Sequence, residues 1–317
     1  SPNSSHWTLA RGVISMPHRV WGAWMHKIIV AALSFSACVG TSASQPAVAN
    51  RVCEALPGWS EVAEASESRF LIFGETHGTQ EAPRAVQEFV CQVASDPVLL
   101  AVELDSSSND ELESAWKGEG ATPLPEVLRQ IMAGRLDGIG SQAMFEMVVR
   151  LWNLKQSGAQ ISIVAFNGAK DSDQAAQFAH LPGQEPHEAA QAENIRTAAA
   201  KQPYRHVVIL VGSLHAQKSV VKIGDRRFEP MAMKLAPSDR VVSLRMDHEG
   251  GTAWNCLLKT ATPPSGRAIL QSDLDCSAHS VSGSQSQEPA MVLKDFADGS
   301  FDGLFSVGPV SASPPPT

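Results

Sequence analysis

Four short apolar segments constrain the fold of this sequence more than any other feature. Each is rich in Val, Ile, Leu and Phe, which is typical of parallel strands that are covered on both faces. Each also ends in polar or charged residues. We therefore predict four buried strands, RFLIFGETHG (69–78), VLLAVELD (98–105), AQISIVAFNG (159–168) and HVVILVGSLHA (206–216).

The stretches around these segments have the periodicity of amphipathic helices. Residues 79–94 carry apolar side chains at helical spacing after a candidate N-terminal cap at Thr79. Residues 141–158 end at Gly158, a residue type that commonly closes a helix, and residues 187–201 form a third pattern. Strands and helices alternate, which predicts an α/β fold with a largely parallel sheet flanked by helices.

Residues 1–49 are predicted to be an upstream segment followed by a secretory signal peptide. The apolar run 28–39 is too short to span a bilayer, and Ala-Val-Ala at 47–49 is a cleavage site of the A-x-A type. Phe-Ser-Ala-Cys at 35–38 resembles a bacterial lipobox. We therefore expect an exported, periplasmic protein, and a lipid anchor at Cys38 stays open as an alternative.

Residues 50–317 are predicted to form a single α/β domain with a Pro/Ser/Gly-rich stretch near 260–290, where periodicity fades. The closing segment 301–317 recovers apolar alternation and is expected to return to the domain. No segment after residue 49 is long and apolar enough to cross a membrane. Three of the 25 basic residues and none of the 33 acidic ones precede residue 50, so the net charge changes from −8 to −11 in the mature part. This acidity argues against nucleic acid as a partner and excludes no small-molecule chemistry. We expect a small-molecule or peptide substrate.

Four of the five cysteines fall in the predicted mature domain: Cys53, Cys91, Cys256 and Cys276. An even number of cysteines in an exported chain favours disulfides. Three pairings are open, of which 53–91 with 256–276 is the most local. None of these cysteines belongs to a C-x-x-C pair, so zinc-finger and redox motifs are weakly supported.

Acids and histidines follow the predicted strands. Glu75 and His77 end the first strand, Glu103 ends the second, and His215 follows the fourth. Because ligands of open parallel sheets bind outside the carboxyl ends of the strands, we expect these side chains to converge in one crevice. Glu81 falls in the first turn of the next helix, where it is expected to orient His77.

Imidazoles beside carboxylates support two kinds of chemistry. They can take a proton from water, or they can hold a divalent metal such as Zn, Mn or Fe, with Glu75, His77 and His215 as the ligand set. The sequence has no G-x-S-x-G elbow, P-loop or dinucleotide-binding glycine motif. The remaining histidines of the domain are expected to be surface or structural residues: His180, His187, His206, His248 and His279.

The motif GETHGTQE (74–81) resembles the G-E-x-x-H-G-x-x-E region of erythromycin esterase-like proteins, with one residue fewer before the histidine. VGSLHA (211–216) is similar to a second motif of the wider superfamily, which includes ChaN-like haem-binding lipoproteins and Tiki/TraB metalloprotease-like proteins. The likeness extends over most of residues 65–317.

The resemblance implies an erythromycin esterase/ChaN-like architecture with a site lined by Glu75, His77, His215, Glu103 and Glu81. In the esterase branch the residue matching His77 would activate water, in the Tiki branch the same groups would bind metal, and in the ChaN-like branch haem would bind at a surface. Our leading hypothesis is an exported hydrolase. The alternative is a cell-envelope protein that binds haem or iron, for which Tyr204 is the only tyrosine in the sequence.

Overall fold

A seven-stranded sheet organises the protein, in the order β10-β11-β7-β1-β4-β2-β3. The computed structural model describes residues 53–260, 270–284 and 288–317. The predicted signal peptide, with Cys38, lies outside these residues. The strands are β1 Phe70–Glu75, β2 Val98–Asp105, β3 Ile161–Asn167, β4 His206–Gly212, β5 Val221–Ile223, β6 Arg226–Phe228, β7 Val241–Asp247, β8 Gly250–Leu258, β9 Leu274–Ser282, β10 Ala290–Leu293 and β11 Gly303–Ser306.

All neighbouring strands of this sheet run parallel except β10, which is antiparallel to β11. The four predicted strands are β1 to β4, so the predicted α/β fold with a largely parallel sheet is confirmed. The helices are α1 Trp59–Ala65, α2 Glu81–Val93, α3 Asn109–Lys117, α4 Leu124–Met132, α5 Gln142–Gln156, α6 Ser172–Phe178, α7 Glu185–Ala199 and α8 Met231–Leu235.

Both faces of the central strands are buried. In β1, Leu71 and Phe73 pack into a core with α2, α4 and α5, whereas Ile72 between them packs into a second core with α7 and α8. Successive side chains of a strand point to opposite faces, so an uninterrupted apolar run is what a doubly covered strand requires. This explains why the pattern of the four segments could be interpreted correctly.

One local prediction was wrong. Thr79 does not cap α2: its hydroxyl donates to the carbonyl of Thr76 at 3.1 Å, and the helix begins at Glu81. The stretch near 260–290 contains β9, which pairs with β8 in a separate antiparallel ribbon. A ribbon outside the main core buries few side chains, so it lacks the strong apolar pattern of a core strand.

Two further features agree with the sequence. The cysteines form the most local of the three pairings, Cys53–Cys91 and Cys256–Cys276. The closing segment returns to the domain, since β11 extends the main sheet beside β7. Among the helices of the described ranges, none combines the length and the apolar character needed to span a membrane.

Candidate active site

The central strands bring the predicted site residues to one edge of the sheet. β4 lies between β1 and β2, and Glu75 at the end of β1 is in register with Gly212 at the end of β4. The pairing of β2 with β3 shifts register between Val102 and Asp105, and Glu103 lies in this irregular stretch. The carboxyl ends of three neighbouring strands therefore carry Glu75, Glu103 and, just beyond β4, His215.

Two imidazoles and three carboxylates alternate at this edge. Glu75 Oε1 lies 2.9 Å from His77 Nδ1, and His77 Nε2 lies 3.5 Å from Glu103 Oε2. On the other side, Glu103 Oε1 lies 3.7 Å from His215 Nε2, and His215 Nδ1 lies 2.8 Å from Glu188 Oε2. We call the series Glu75, His77, Glu103, His215 and Glu188 the acid–imidazole chain.

Backbone groups hold the carboxylates of this chain in place. Glu103 Oε2 accepts a hydrogen bond from the amide of Gly212 at 2.8 Å, and Glu188 Oε2 accepts one from the amide of Met231 at 2.8 Å. A Cβ atom at position 212 would lie 2.6 Å from His77 Nε2. Glycine is thus required where β4 ends, because any side chain there would displace the His77 ring.

The carboxylates are buried and the imidazoles reach solvent. The side chains of Glu75 and Glu103 are each 3 % exposed, whereas those of His77 and His215 are 24 % and 17 % exposed. A ligand approaching from solvent therefore meets the two rings first, with the acids behind them.

The neighbouring carboxylates raise the pKa values of the two imidazoles. Burial alone would lower the pKa of His77, but the charge of Glu103 and the hydrogen bond and charge of Glu75 outweigh it and raise the pKa to about 9. Burial likewise opposes protonation of His215, and its hydrogen bond with Glu188 together with the charge of Glu103 raises its pKa. Burial raises the pKa of Glu75 in spite of His77. The His77 ring is accordingly held mainly as imidazolium at neutral pH, and the carboxylates beside His215 favour its protonated form as well.

Glu81 is placed differently from the expectation. It lies in the first turn of α2 as predicted, but both its carboxylate oxygens accept hydrogen bonds from the amide of Ser311, at 3.1 and 3.0 Å. Its hydrogen bonds tie the closing segment to α2 rather than orient His77.

Helix α7 supplies site residues that sequence analysis missed. Glu188 completes the acid–imidazole chain, and the ring of His187 lies 5.8 Å from that of His215. Burial, together with the charge of His215, lowers the pKa of His187. Gln191 then joins His187 to Asn167 at the end of β3, at 3.1 and 3.0 Å. His187 was expected to be a surface or structural residue, and it instead borders the site.

Comparison with known proteins shows the fold. No family model matches the sequence, and no curated protein is significantly similar to it. A succinoglycan biosynthesis protein aligns with a TM-score of 0.56 at 10 % identity, covering 81 % of this chain and 92 % of that one. Erythromycin esterase EreC in its open conformation aligns with a TM-score of 0.51 at 10 % identity, covering 80 % and 94 %. The chain has the erythromycin esterase fold.

A more remote match is the haem-binding ChaN of Campylobacter jejuni, with a TM-score of 0.38 at 10 % identity over 59 % of this chain and 85 % of that one. A score this low supports no inference about haem. The esterase fold, by contrast, agrees with the architecture that the GETHGTQE motif implied.

The predicted metal ligands do not form one coordination set. Glu75 contacts Nδ1 of His77, while the Nε2 atom of the same ring faces Glu103 and the side of His215. Glu75 thus lies at Nδ1 of the His77 ring, whereas His215 is linked to the Nε2 side of that ring through Glu103. Within residues 53–260, 270–284 and 288–317, no group of three His, Cys, Asp or Glu side chains is arranged to hold a metal.

Proposed function

We propose that the protein is an exported hydrolase in which the acid–imidazole chain activates water for attack on an ester or peptide carbonyl. The observation that carries this proposal is the pairing of two solvent-reaching imidazoles with buried carboxylates at the ends of three adjacent strands. Each Nδ1 atom is bound to an acid, so each Nε2 atom is fixed in direction, and both Nε2 atoms face Glu103, 3.5 and 3.7 Å away. We place the attacking water at this point between the rings. The fold of erythromycin esterase EreC is consistent with this reading.

The two rings have different tasks in this mechanism. Neutral His77 takes a proton from water through Nε2, and the resulting hydroxide attacks the carbonyl carbon. Protonated His215 donates a hydrogen bond to the oxyanion that forms. When the intermediate collapses, the bond to the leaving alcohol or amine breaks, and the imidazolium of His77 returns its proton to that group.

The carboxylates keep both rings ready for these steps. Glu75 orients His77, Glu188 orients His215, and Glu103 lies between the rings, where its negative charge offsets their positive charges. Fixed groups of this kind need no reorganisation as charge develops in the transition state.

The haem-uptake alternative has less support. Tyr204 lies two residues before β4 begins, so it is at the opposite end of that strand from His215, and it packs against the core beside α7 and α8. It therefore cannot join the site histidines on one haem. Export fits the two disulfides, which are typical of proteins that fold in an oxidising compartment. A lipid anchor at Cys38 stays a proposal that mass spectrometry of the envelope-derived protein would test.

The test is a screen of ester and peptide substrates with purified protein. The screen is run in chelator, with added manganese or zinc, and alongside a haemin titration. We expect ester or peptide hydrolysis that persists in chelator and is lost in His77→Ala. Activity that survives His77→Ala, or tight one-to-one haemin binding without any hydrolysis, would overturn the proposal. Hydrolysis that appears only with added metal would show that an ion, and not the imidazoles alone, activates the water.

A further inference from the structure

A cavity of ≈ 710 Å³ opens beside His215. One wall is the β5–β6 hairpin, and the other is formed by residues just before α7. The cavity belongs to the site described above, because His215 itself lines it. Its lining residues are therefore close to the acid–imidazole chain and in a position to contact its substrate.

Part of the lining is apolar and exposed to solvent. Leu214 and Ile223 are 45 % and 49 % exposed, and Phe228 closes the floor of the cavity as a buried side chain. Apolar side chains that lie together in one cavity and remain exposed commonly mark a ligand-binding groove. They provide a surface for an aliphatic or aromatic part of the substrate.

The hairpin also directs a positive charge to this cavity. Ile223 pairs with Arg226, and Val221 pairs with Phe228. Because alternate residues of a strand share a face, Arg226 lies on the same face as the cavity residues Ile223 and Phe228. Lys222 and its partner Arg227 lie on the other face, although Arg227 reaches the cavity rim.

Arg226 has no acidic partner in the described part of the chain. None of the ion pairs or hydrogen bonds there uses the side chain of Arg226 or Arg227, and Asp225 at the hairpin turn also lines the cavity without pairing to either. By contrast, the nearby Lys234 is bound to both Glu185 and Glu229. A guanidinium left free beside an apolar surface is suited to bind a carboxylate or a phosphate.

We infer that this cavity selects an amphiphilic anion: an ester or amide with an apolar part next to a carboxylate or phosphate group. The apolar part would lie on Leu214, Ile223 and Phe228, the anion would meet Arg226, and the scissile carbonyl would lie at His215. The inference rests on the proposed hydrolase function, and it names the substrate class of that same site.

The test compares three matched p-nitrophenyl esters with the same alkyl chain: a neutral ester, one with a terminal carboxylate and one with a terminal phosphate. Wild-type protein should prefer an anionic ester, and Arg226→Gln should lower kcat/KM for that ester about fivefold while leaving the neutral ester unchanged. The preferred anion distinguishes a carboxylate from a phosphate substrate. Lys222→Gln is the control, since Lys222 lies on the opposite face, and it should change neither value.

Two results would overturn the inference: equal hydrolysis of neutral and anionic esters by wild type, or an equal effect of Arg226→Gln on both. If wild type hydrolyses neither these esters nor any ester or peptide of the screen above, the proposed function fails, and binding decides the ligand class separately. Calorimetry with octanoate, octyl phosphate and octanol should then show anion binding that Arg226→Gln weakens and Lys222→Gln does not. Equal binding of all three compounds, or binding of none, would contradict the inference.

Discussion

Strand β4 has a histidine at each end, and the two residues differ in how their surroundings treat a proton. His206 begins the strand and is buried, and burial lowers its pKa, with Nδ1 left without a hydrogen-bond partner among the described residues. His215 follows the other end, where Glu188 and Glu103 overcome burial and raise its pKa. The comparison shows that the carboxylates at the carboxyl ends of the strands, and not the histidines alone, make that edge chemically distinct.

Replacing the histidine at each end of β4 by alanine tests this comparison. We expect the largest effect on kcat from one of these two variants. His215→Ala should lower kcat about 10²- to 10³-fold, because it removes the hydrogen-bond donor that stabilises the oxyanion. His206→Ala should leave kcat within about twofold, since that ring lies at the far end of the strand and contacts none of the acid–imidazole chain. Steady-state kinetics on the best ester measures both. Similar losses in the two variants would show that only the packing of β4 matters.

Glu188→Gln should have the next largest effect. The amide preserves the shape of the side chain but removes the charge that favours protonated His215, so we expect a loss of about 10- to 100-fold in kcat. The pKa of His215, measured by NMR, should fall in the same variant. Glu185→Gln is the matched control, because Glu185 lies on the same helix and binds Lys234 instead. A loss of rate without any change in the pKa of His215 would indicate a structural effect of Glu188 only.

An NMR titration should distinguish His77 from His206, which lie at opposite edges of the sheet. His77 should titrate near pH 9 and His206 below 6.5 in an NMR titration. If neutral His77 is the base, only about 1 % of it is available at pH 7. The rate should then rise about tenfold per pH unit below pH 6.5, where His215 keeps its proton, and it should stop rising once His215 loses that proton. A rate that does not rise with pH below 6.5 would show that neutral His77 is not the base.

Protonation of His77 should also make the free energy of unfolding depend on pH. The pKa of His77 in the folded protein is above its unfolded value, so the bound proton stabilises the fold below pH 6.5. That contribution is lost as the pH rises through about 9. Urea unfolding at pH 6 and pH 9 should therefore show a larger decrease in stability for wild type than for His77→Ala. An equal decrease in both would place the relevant titration elsewhere.

The strand-end half of the site was predictable because its signal is local. An apolar run predicts a strand, and the residue after it falls at the ligand-binding edge of a parallel sheet. This is sufficient to place Glu75, His77, Glu103 and His215 at one edge. It does not fix the order of their contacts, which depends on β4 lying between β1 and β2.

The helical half could not be predicted in this way. Glu188 acts from the first turn of α7, and nothing in a strand pattern indicates which helix covers the edge of the sheet. A signal was nevertheless present in the sequence: Glu188, Gln191 and Asn194 recur every three residues in an alanine-rich helix. In the structure all three are buried. Buried polar side chains on one helix face need partners, so such a stripe indicates a polar site beneath the helix.

The smallest expected effect concerns the other acid of the GETHGTQE motif. Glu75 binds His77, whereas Glu81 binds the amide of Ser311 on the exposed surface. Glutamine at position 81 keeps an oxygen that accepts this hydrogen bond and loses only the charge at the start of α2. Glu81→Gln should therefore lower the free energy of unfolding by about 0.3–1 kcal/mol and leave kcat/KM unchanged.

Urea unfolding and ester kinetics on Glu81→Gln and Glu75→Gln measure the contrast directly. Glu75→Gln should reduce the rate, because an amide at position 75 no longer holds the proton on Nδ1 and so no longer orients Nε2 as the base. A rate loss in Glu81→Gln that matches that of Glu75→Gln would mean that Glu81 reaches the site during turnover. The closing segment would then have to release Ser311 from α2, since the same carboxylate cannot hold that amide and orient His77 together.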